Sequence, residues 1–222
     1  MILNHIGPII GTLCYYLYPI NLRINQTLLY NISIIHNILL MTFSAWTFIS
    51  LAIILYKYGI VFESNYYFKD LFFNKIIYYF YLSKYYEYID TFLLYLNNKK
   101  PIFLQKFHHI GAVIVWYLGY YYKVDAIWLA TISNSFIHTI MYSYYLGSLL
   151  KIKNIKIVKQ YVTTLQLIQL IVPAFINLYF YRPPIETIFN YIIINIFVIY
   201  VTILIILFSI FYYNNYIKNK IK

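Results

Sequence analysis

From Leu28 to Tyr56 the chain runs without a single Asp, Glu, Lys or Arg. That is longer than the roughly 20 apolar residues needed to cross a ~30 Å hydrocarbon core. In lipid every backbone N–H and C=O has to be satisfied within the chain, so the stretch is a membrane helix. The rest of the composition agrees: 63% of the 222 residues are hydrophobic and 10% are charged, outside the range of a soluble globular domain. The chain therefore reads as an all-α, polytopic membrane protein. Its 30 tyrosines accompany a general bias toward Ile, Asn and Lys, as in an AT-rich coding sequence, and do not by themselves argue for an aromatic-lined site. The single Cys14 excludes an internal disulfide framework and a cysteine metal site. The net charge of +11 does not point to nucleic acid, because the lysines lie between apolar runs, as the positive-inside rule places them. No basic segment precedes the first apolar run, so no cleaved signal peptide is expected.

Apolar runs and their breaks predict one domain over 1–222 with seven helices, at about 6–22, 28–56, 76–97, 103–122, 126–146, 158–181 and 187–213. The first is barely long enough and carries Gly7, Pro8, Gly11 and Pro19, which places it at the periphery. Asp125 is the expected N-cap of the fifth. Counting Lys and Arg on alternate sides of the seven spans gives eleven on one side (Arg23, Lys99, Lys100, Lys106, Lys151, Lys153, Lys156, Lys159, Lys218, Lys220, Lys222) and five on the other (Lys57, Lys69, Lys75, Lys123, Arg182). The richer side, which includes the C-terminus, is then cytosolic. Lys220 and Lys222 stand third and first from the end, with Lys218 fifth; the tail resembles a dilysine retrieval signal of endoplasmic reticulum proteins, a solvated basic tail being the alternative.

Polar residues inside such helices are costly enough to mark function. Two adjacent histidines, His108 and His109, open an otherwise apolar run. Lys84, Glu87, Asp90 and Thr91 share one broad helix face; Asn134, His138, Met141, Tyr142 and Tyr145 share another; Thr163, Gln166 and Gln169 mark a third. At about 1.5 Å per residue, Asp90 lies roughly 10 Å inside the helix end near Asn97 and His109 roughly 12 Å inside Pro101. His138 and Gln166 fall at similar depths, so four helices bring polar groups to one layer. The plain alternatives are an intramembrane ion-pair network for the charged trio, interhelical hydrogen bonding for Asn134, Gln166 and Gln169, and a core residue for His138. His5 and His36 have no assignment.

These stretches resemble the very-long-chain fatty acid elongases, the ELO condensing enzymes. Lys84-Tyr-Tyr-Glu87-Tyr-Ile-Asp90-Thr91 is similar to their KxxExxDT motif, Gln105-Lys-Phe-His108-His109 to HxxHH in its QxxHH form, Asn134 to Tyr145 to NxxxHxxMYxYY, and Thr163 to Gln169 to TxxQxxQ. The resemblance implies seven transmembrane helices, six of them around an acyl tunnel closed at the lumenal end. It also implies condensation of acyl-CoA with malonyl-CoA to 3-oxoacyl-CoA, CO2 and CoA in the endoplasmic reticulum membrane. No cofactor or metal is expected. The implied partners are the two CoA substrates, the bilayer, and the ketoreductase, dehydratase and enoyl reductase of an elongation cycle.

The chemistry suits an imidazole, whose charged form burial disfavours and whose neutral form can serve as nucleophile or base. His108 or His138 would take the acyl group, His109 and Asp90 would orient the imidazoles, and Asn134, Gln166 or a tyrosine hydroxyl would donate to the oxyanion. Lys84, Glu87, Thr91, Gln105, Tyr142, Tyr145 and Gln169 complete the expected substrate-binding set. Gln105 stands in the place of the box's first histidine, which argues against an essential role for a third histidine. Phe180, on the line of Gln169 and Ile176, is either a stop at the end of the tunnel or a residue packed against another helix. Two other classes were weighed. A di-iron oxygenase or desaturase needs more ligands than five histidines supply, and a transporter or channel needs polar groups through the full depth.

Overall fold

The structure, a computed structural model, describes residues 3–17, 24–62, 66–180 and 188–218, without the side chains of residues 3–5 and 156. Pro19, Arg23, Arg182, Pro183, Pro184, Lys220, Lys222 and the side chains of His5 and Lys156 therefore lie outside what is described. The described residues form eight α-helices: α1 (Leu3–Leu17), α2 (Gln26–Tyr58), α3 (Leu71–Tyr86), α4 (Tyr88–Leu96), α5 (Phe103–Tyr121), α6 (Ile127–Leu149), α7 (Val158–Phe180) and α8 (Ile188–Tyr212). α3 and α4 make one interrupted rod, so the expected seven rods are present. Three helical stretches, Gln26–Tyr58, Val158–Phe180 and Ile188–Ile217, are long and apolar enough to cross a membrane by length and composition. Buried polar groups lie on α2 to α8, most densely on α2 and α6.

Local chemistry sets the ends. Asn25 Oδ1 accepts from the amides of Thr27 at 2.8 Å and Leu28 at 3.4 Å, starting α2. The helix closes at Gly59, whose φ of 76° suits a residue without Cβ and whose amide reaches the Leu55 carbonyl at 2.8 Å. α3 begins at Leu71, not at Ile76, because Asp70 Oδ1 caps the amides of Phe72 and Phe73 at 2.7 and 3.0 Å. The rod is interrupted at Glu87, where the Asp90 amide bonds back three residues to the Glu87 carbonyl at 3.1 Å, a tighter turn than the α pattern.

The most extensive helix pair is α2 against α6. Ser33, Asn37, Leu40, Ser44, Thr47, Leu51 and Ile54 are buried on α2, spaced four and three residues apart in alternation. Small and hydroxylated residues along that stripe let two backbones approach closely. The opposite face presents Ile35, Leu39, Ile49 and Ile53 outward, as lipid contact requires. α5 ties to α6 through Trp116 Nε1 and Thr131 Oγ1 at 2.9 Å.

The first helix lies at the periphery, with Ile9, Ile10, Leu13, Tyr16 and Leu17 exposed, but Tyr15 anchors it to the core. Tyr15 is buried, stacks on Tyr88 at 4.1 Å between centroids, and its hydroxyl meets Thr91 Oγ1 at 2.8 Å. Asp125 departs from its expected role. α6 starts after Ala126 with no side-chain cap, and the Asp125 carboxylate instead reaches a loop between α2 and α3, accepting from the amides of Tyr66, Tyr67 and Phe68. Three loop amides with no partner of their own compete successfully for the carboxylate.

Candidate active site

A cavity of about 510 Å³ runs from the helix ends at Asn97, Lys99, Ser148 and Lys159 inward to the histidines. Asp90, Gln105, His108, His109, His138, Tyr142, Tyr145, Gln166 and Gln169 all line it, so the layer read from helix depths is a real assembly of α4, α5, α6 and α7. Lys84, Glu87, Thr91 and Asn134 sit behind this wall.

Behind it, the i to i+3 spacing across the α3–α4 break brings Lys84 Nζ within 2.7 Å of Glu87 Oε1. Asn134 Oδ1 accepts from the same ammonium at 2.9 Å, and the rings of Phe80 and Trp116 lie 4.1 and 5.2 Å from it. Lys84 and Glu87 are 1% and 2% exposed, so each charge depends on the other for solvation. Glu87 Oε1 also stands 3.5 Å from His138 Nδ1, while Glu87 Oε2 is buried without a partner. Asn134, with its carbonyl oxygen committed to Lys84, has only its amide hydrogens left to offer.

Asp90 is held differently. Its Oδ1 accepts from His36 Nε2 at 2.8 Å and its Oδ2 from the Tyr142 hydroxyl at 2.8 Å. Asp90, expected to orient the imidazoles of His108 or His138, bonds instead to His36 on α2 and Tyr142 on α6, and the carboxylate beside a site imidazole is Glu87, against His138. Tyr142 passes the constraint on, since its ring meets that of His138 edge-on at 5.6 Å. His109 packs edge-on against the rings of Tyr15 and Tyr88 at 6.3 and 6.4 Å, with Nδ1 unpartnered. Gln105 Nε2 reaches Thr91 Oγ1 at 3.3 Å, Gln166 Nε2 reaches Met141 Sδ at 3.2 Å, and Gln169 Oε1 is buried and unpartnered.

Two residues belong to the site without having been assigned from sequence. His36 is buried at 2% exposure, stacks on Tyr86 and lines the cavity. It could have been found, because it sits beside Ser33 and Asn37 on the polar stripe of an otherwise apolar helix. Tyr200 on α8 touches His108, with its hydroxyl 2.9 Å from the carbonyl oxygen and 3.3 Å from Nδ1. One tyrosine among thirty carries no such signal.

Glu87, His108 and His138 each offer a ligand atom, all within 4.8 Å of one another, a spacing that could chelate a cation. The Lys84 ammonium already neutralises that carboxylate, so a divalent ion would have to displace it. Beyond the histidines a second cavity of about 30 Å³ lies among His108, Trp116, Asn134, Gln169, Pro173, Phe197 and Leu204. Phe180 lines neither cavity: it is half-exposed and stacks on Phe62 at 5.3 Å, and Ile176 also stands apart from both. Of the two readings of Phe180, packing is the one the contacts favour: α7 carries Pro173 inside the helix, and the ring lies on Phe62 away from both cavities.

The chain is 45% identical over 94 residues to fatty acid elongase sre1 of Dictyostelium discoideum, covering 42% of this chain and 34% of that protein. It is 35% identical over 105 residues to very long chain fatty acid elongase 4 of Trypanosoma cruzi (46% and 36% covered) and 32% over 148 residues to human very long chain fatty acid elongase 3 (64% and 54%). The matched stretches thus span about a third to a half of these relatives' lengths. No solved structure matches. The sequence model of the GNS1/SUR4 family (ELO) matches residues 1–222. A histidine-lined cavity built by four motif-bearing helices, together with that full-length match, leads to one assignment: the chain belongs to the GNS1/SUR4 (ELO) family.

Proposed function

We propose that this protein catalyses the condensing step of fatty acid elongation, joining an acyl-CoA to malonyl-CoA. The observation that carries the reading is that His108 and His138 line the inner part of one cavity with the carboxylate of Glu87 close behind them, itself paired with the buried Lys84. His108 or His138 attacks the thioester carbonyl. The C–N bond forms, the C–S bond breaks and the CoA thiolate leaves, giving an acyl-imidazole. Malonyl-CoA then loses CO2; the electron pair of the broken C–C bond attacks the acyl carbon, forms the new C–C bond and expels the imidazole. The products are 3-oxoacyl-CoA, CO2 and CoA. Glu87, held by Lys84, stabilises positive charge on His138, and Gln166 on the cavity wall donates to the oxyanion through the amide hydrogen that Met141 does not take. The substrate-binding set of Gln105, Tyr142, Tyr145, Gln166 and Gln169 is proposed on the same wall, with Lys84, Thr91 and Asn134 supporting it from behind. No cofactor enters this scheme.

The same reading takes the seven rods as seven transmembrane helices, in the endoplasmic reticulum with the C-terminus cytosolic, and the acyl chain as extending past the histidines into a tunnel with a closed end. The small second cavity supports a dead end in preference to a through-path. The other elongation-cycle enzymes are its proposed partners. Purified protein given a panel of acyl-CoAs with labelled malonyl-CoA should release labelled 3-oxoacyl product and CO2. His108→Ala and His138→Ala should abolish both while remaining membrane-inserted; full turnover in either variant would overturn the mechanism.

A further inference from the structure

We infer that Tyr200 is a positioning residue for His108: its hydroxyl fixes the imidazole with the proton on Nδ1 and the Nε2 lone pair free to take the acyl group, and Gly111 is the notch in α5 that admits the Tyr200 ring. This rests on the condensation proposed above and adds the selection of the reacting nitrogen.

A count of protons decides the tautomer. A tyrosine hydroxyl has one hydrogen, and here its oxygen faces two groups, the His108 carbonyl oxygen at 2.9 Å and His108 Nδ1 at 3.3 Å. A carbonyl oxygen can only accept. If the hydroxyl donated to Nδ1 instead, two oxygens would face each other at 2.9 Å without a proton between them, in a buried setting where such a contact is expensive. The hydroxyl therefore donates to the carbonyl, and Nδ1 must carry the proton that completes the second bond. That leaves Nε2 unprotonated. When Nε2 attacks a thioester carbonyl, positive charge spreads to Nδ1–H, and its hydrogen bond to the Tyr200 oxygen becomes charge-assisted and stronger. The interaction thus favours the charged intermediate over the resting imidazole.

The placement of the ring is independently built. A Cβ on Gly111 would lie 2.0 Å from Tyr200 Cε2 and 2.6 Å from Cδ2, closer than atoms can approach. Gly111 follows His108 by three residues, so the notch is on the histidine's own face one turn along. On the preceding side the Phe107 ring lies 5.7 Å from that of Tyr200 between centroids. Tyr200 is buried and held on both sides of the residue it addresses.

The test combines tautomer and turnover. Nitrogen-15 histidine NMR on the protein in nanodiscs, with the His108 signal assigned by its loss in His108→Gln, should show Nδ1 protonated and Nε2 bare. Tyr200→Phe, which removes one oxygen, should shift that signal toward the other tautomer. It should also lower kcat by about 10- to 100-fold with little change in KM for acyl-CoA, the size expected for one hydrogen bond to a charged group. Gly111→Ala should move both readouts the same way with the hydroxyl still present; if it fails to fold, Tyr200→Phe decides alone. A wild-type His108 protonated on Nε2, or a Tyr200→Phe variant with unchanged tautomer and kcat, would overturn the inference. The tautomer is read without substrate, so an inactive wild-type protein would refute the condensation reading and leave this measurement standing.

Discussion

Asp90 and Asp125 are aspartates at opposite ends of the helical core, and they spend their hydrogen bonds in opposite ways. Asp125 gives its carboxylate to three consecutive backbone amides, those of Tyr66, Tyr67 and Phe68, and so closes the loop between α2 and α3 against the start of α6. Asp90 gives its two oxygens to side chains, His36 and Tyr142, each from a different helix. Backbone amides need a partner whatever the protein does, so the Asp125 end is architecture. Side chains such as His36 and Tyr142 could have been replaced by apolar residues of similar volume at little cost to stability, so a polar cluster kept there points to chemistry.

The comparison breaks most sharply at the histidines. His138→Ala should lower turnover by more than about 1,000-fold, as loss of a reacting group does, while the detergent-solubilised melting temperature moves little. A drop in melting temperature that accounts for the lost activity would erase the distinction between the two ends.

Asp125→Ala should do the reverse. Losing an acceptor for three buried amides costs roughly 2–4 kcal/mol, seen as a lower melting temperature, with turnover per folded molecule preserved. The same end should have its own pH signature. Burial pushes the Asp125 carboxyl up to about 6 from its ordinary 3.8. The folded chain then holds this proton more tightly than the unfolded chain. Its contribution to stability is greatest below about pH 4 and declines as pH rises through about 6. Melting curves between those values should show the trend in wild type and lack it in Asp125→Asn; an opposite slope in wild type would show that the amide bonds outweigh the burial.

A smaller effect is expected at His36. His36→Ala frees one oxygen of Asp90 and loosens Tyr142 against His138, and should reduce kcat about tenfold, the value of one hydrogen bond to a charged group. His36→Gln, which keeps a donor, should recover part of it; if it recovers none while the fold is intact, the ring's stacking on Tyr86 matters more than its hydrogen bond. Smallest of all, Phe180→Ala should leave the product chain-length distribution unchanged, because Phe180 packs on Phe62 outside both cavities. A shift to longer products would restore it as the end of the tunnel.

Membrane class, the seven rods and a single polar layer of Asp90, His109, His138 and Gln166 are legible in the chain alone. Each of these follows from one-dimensional regularities: the length of apolar runs, the 3.6-residue period, and the rise per residue from a recognisable helix end. Helix starts are legible where a cap acts on its own chain, as Asp70 does at α3, a signal stronger than the onset of the apolar run at Ile76. Which partner each polar atom takes is set by the packing of the helices. Asp90 could equally have faced the α5 histidines, and Asp125 is well placed in sequence to cap α6; the outcomes depend on how α2, α4 and α6 are rotated about their axes and on which loop amides arrive unpaired. His36 and Tyr200 were hidden for the same reason. A helix period says which residues share a face, but the face's neighbour is set by packing summed over the whole bundle, and a single hydroxyl 3.3 Å from a ring nitrogen leaves no trace in the pattern of the chain.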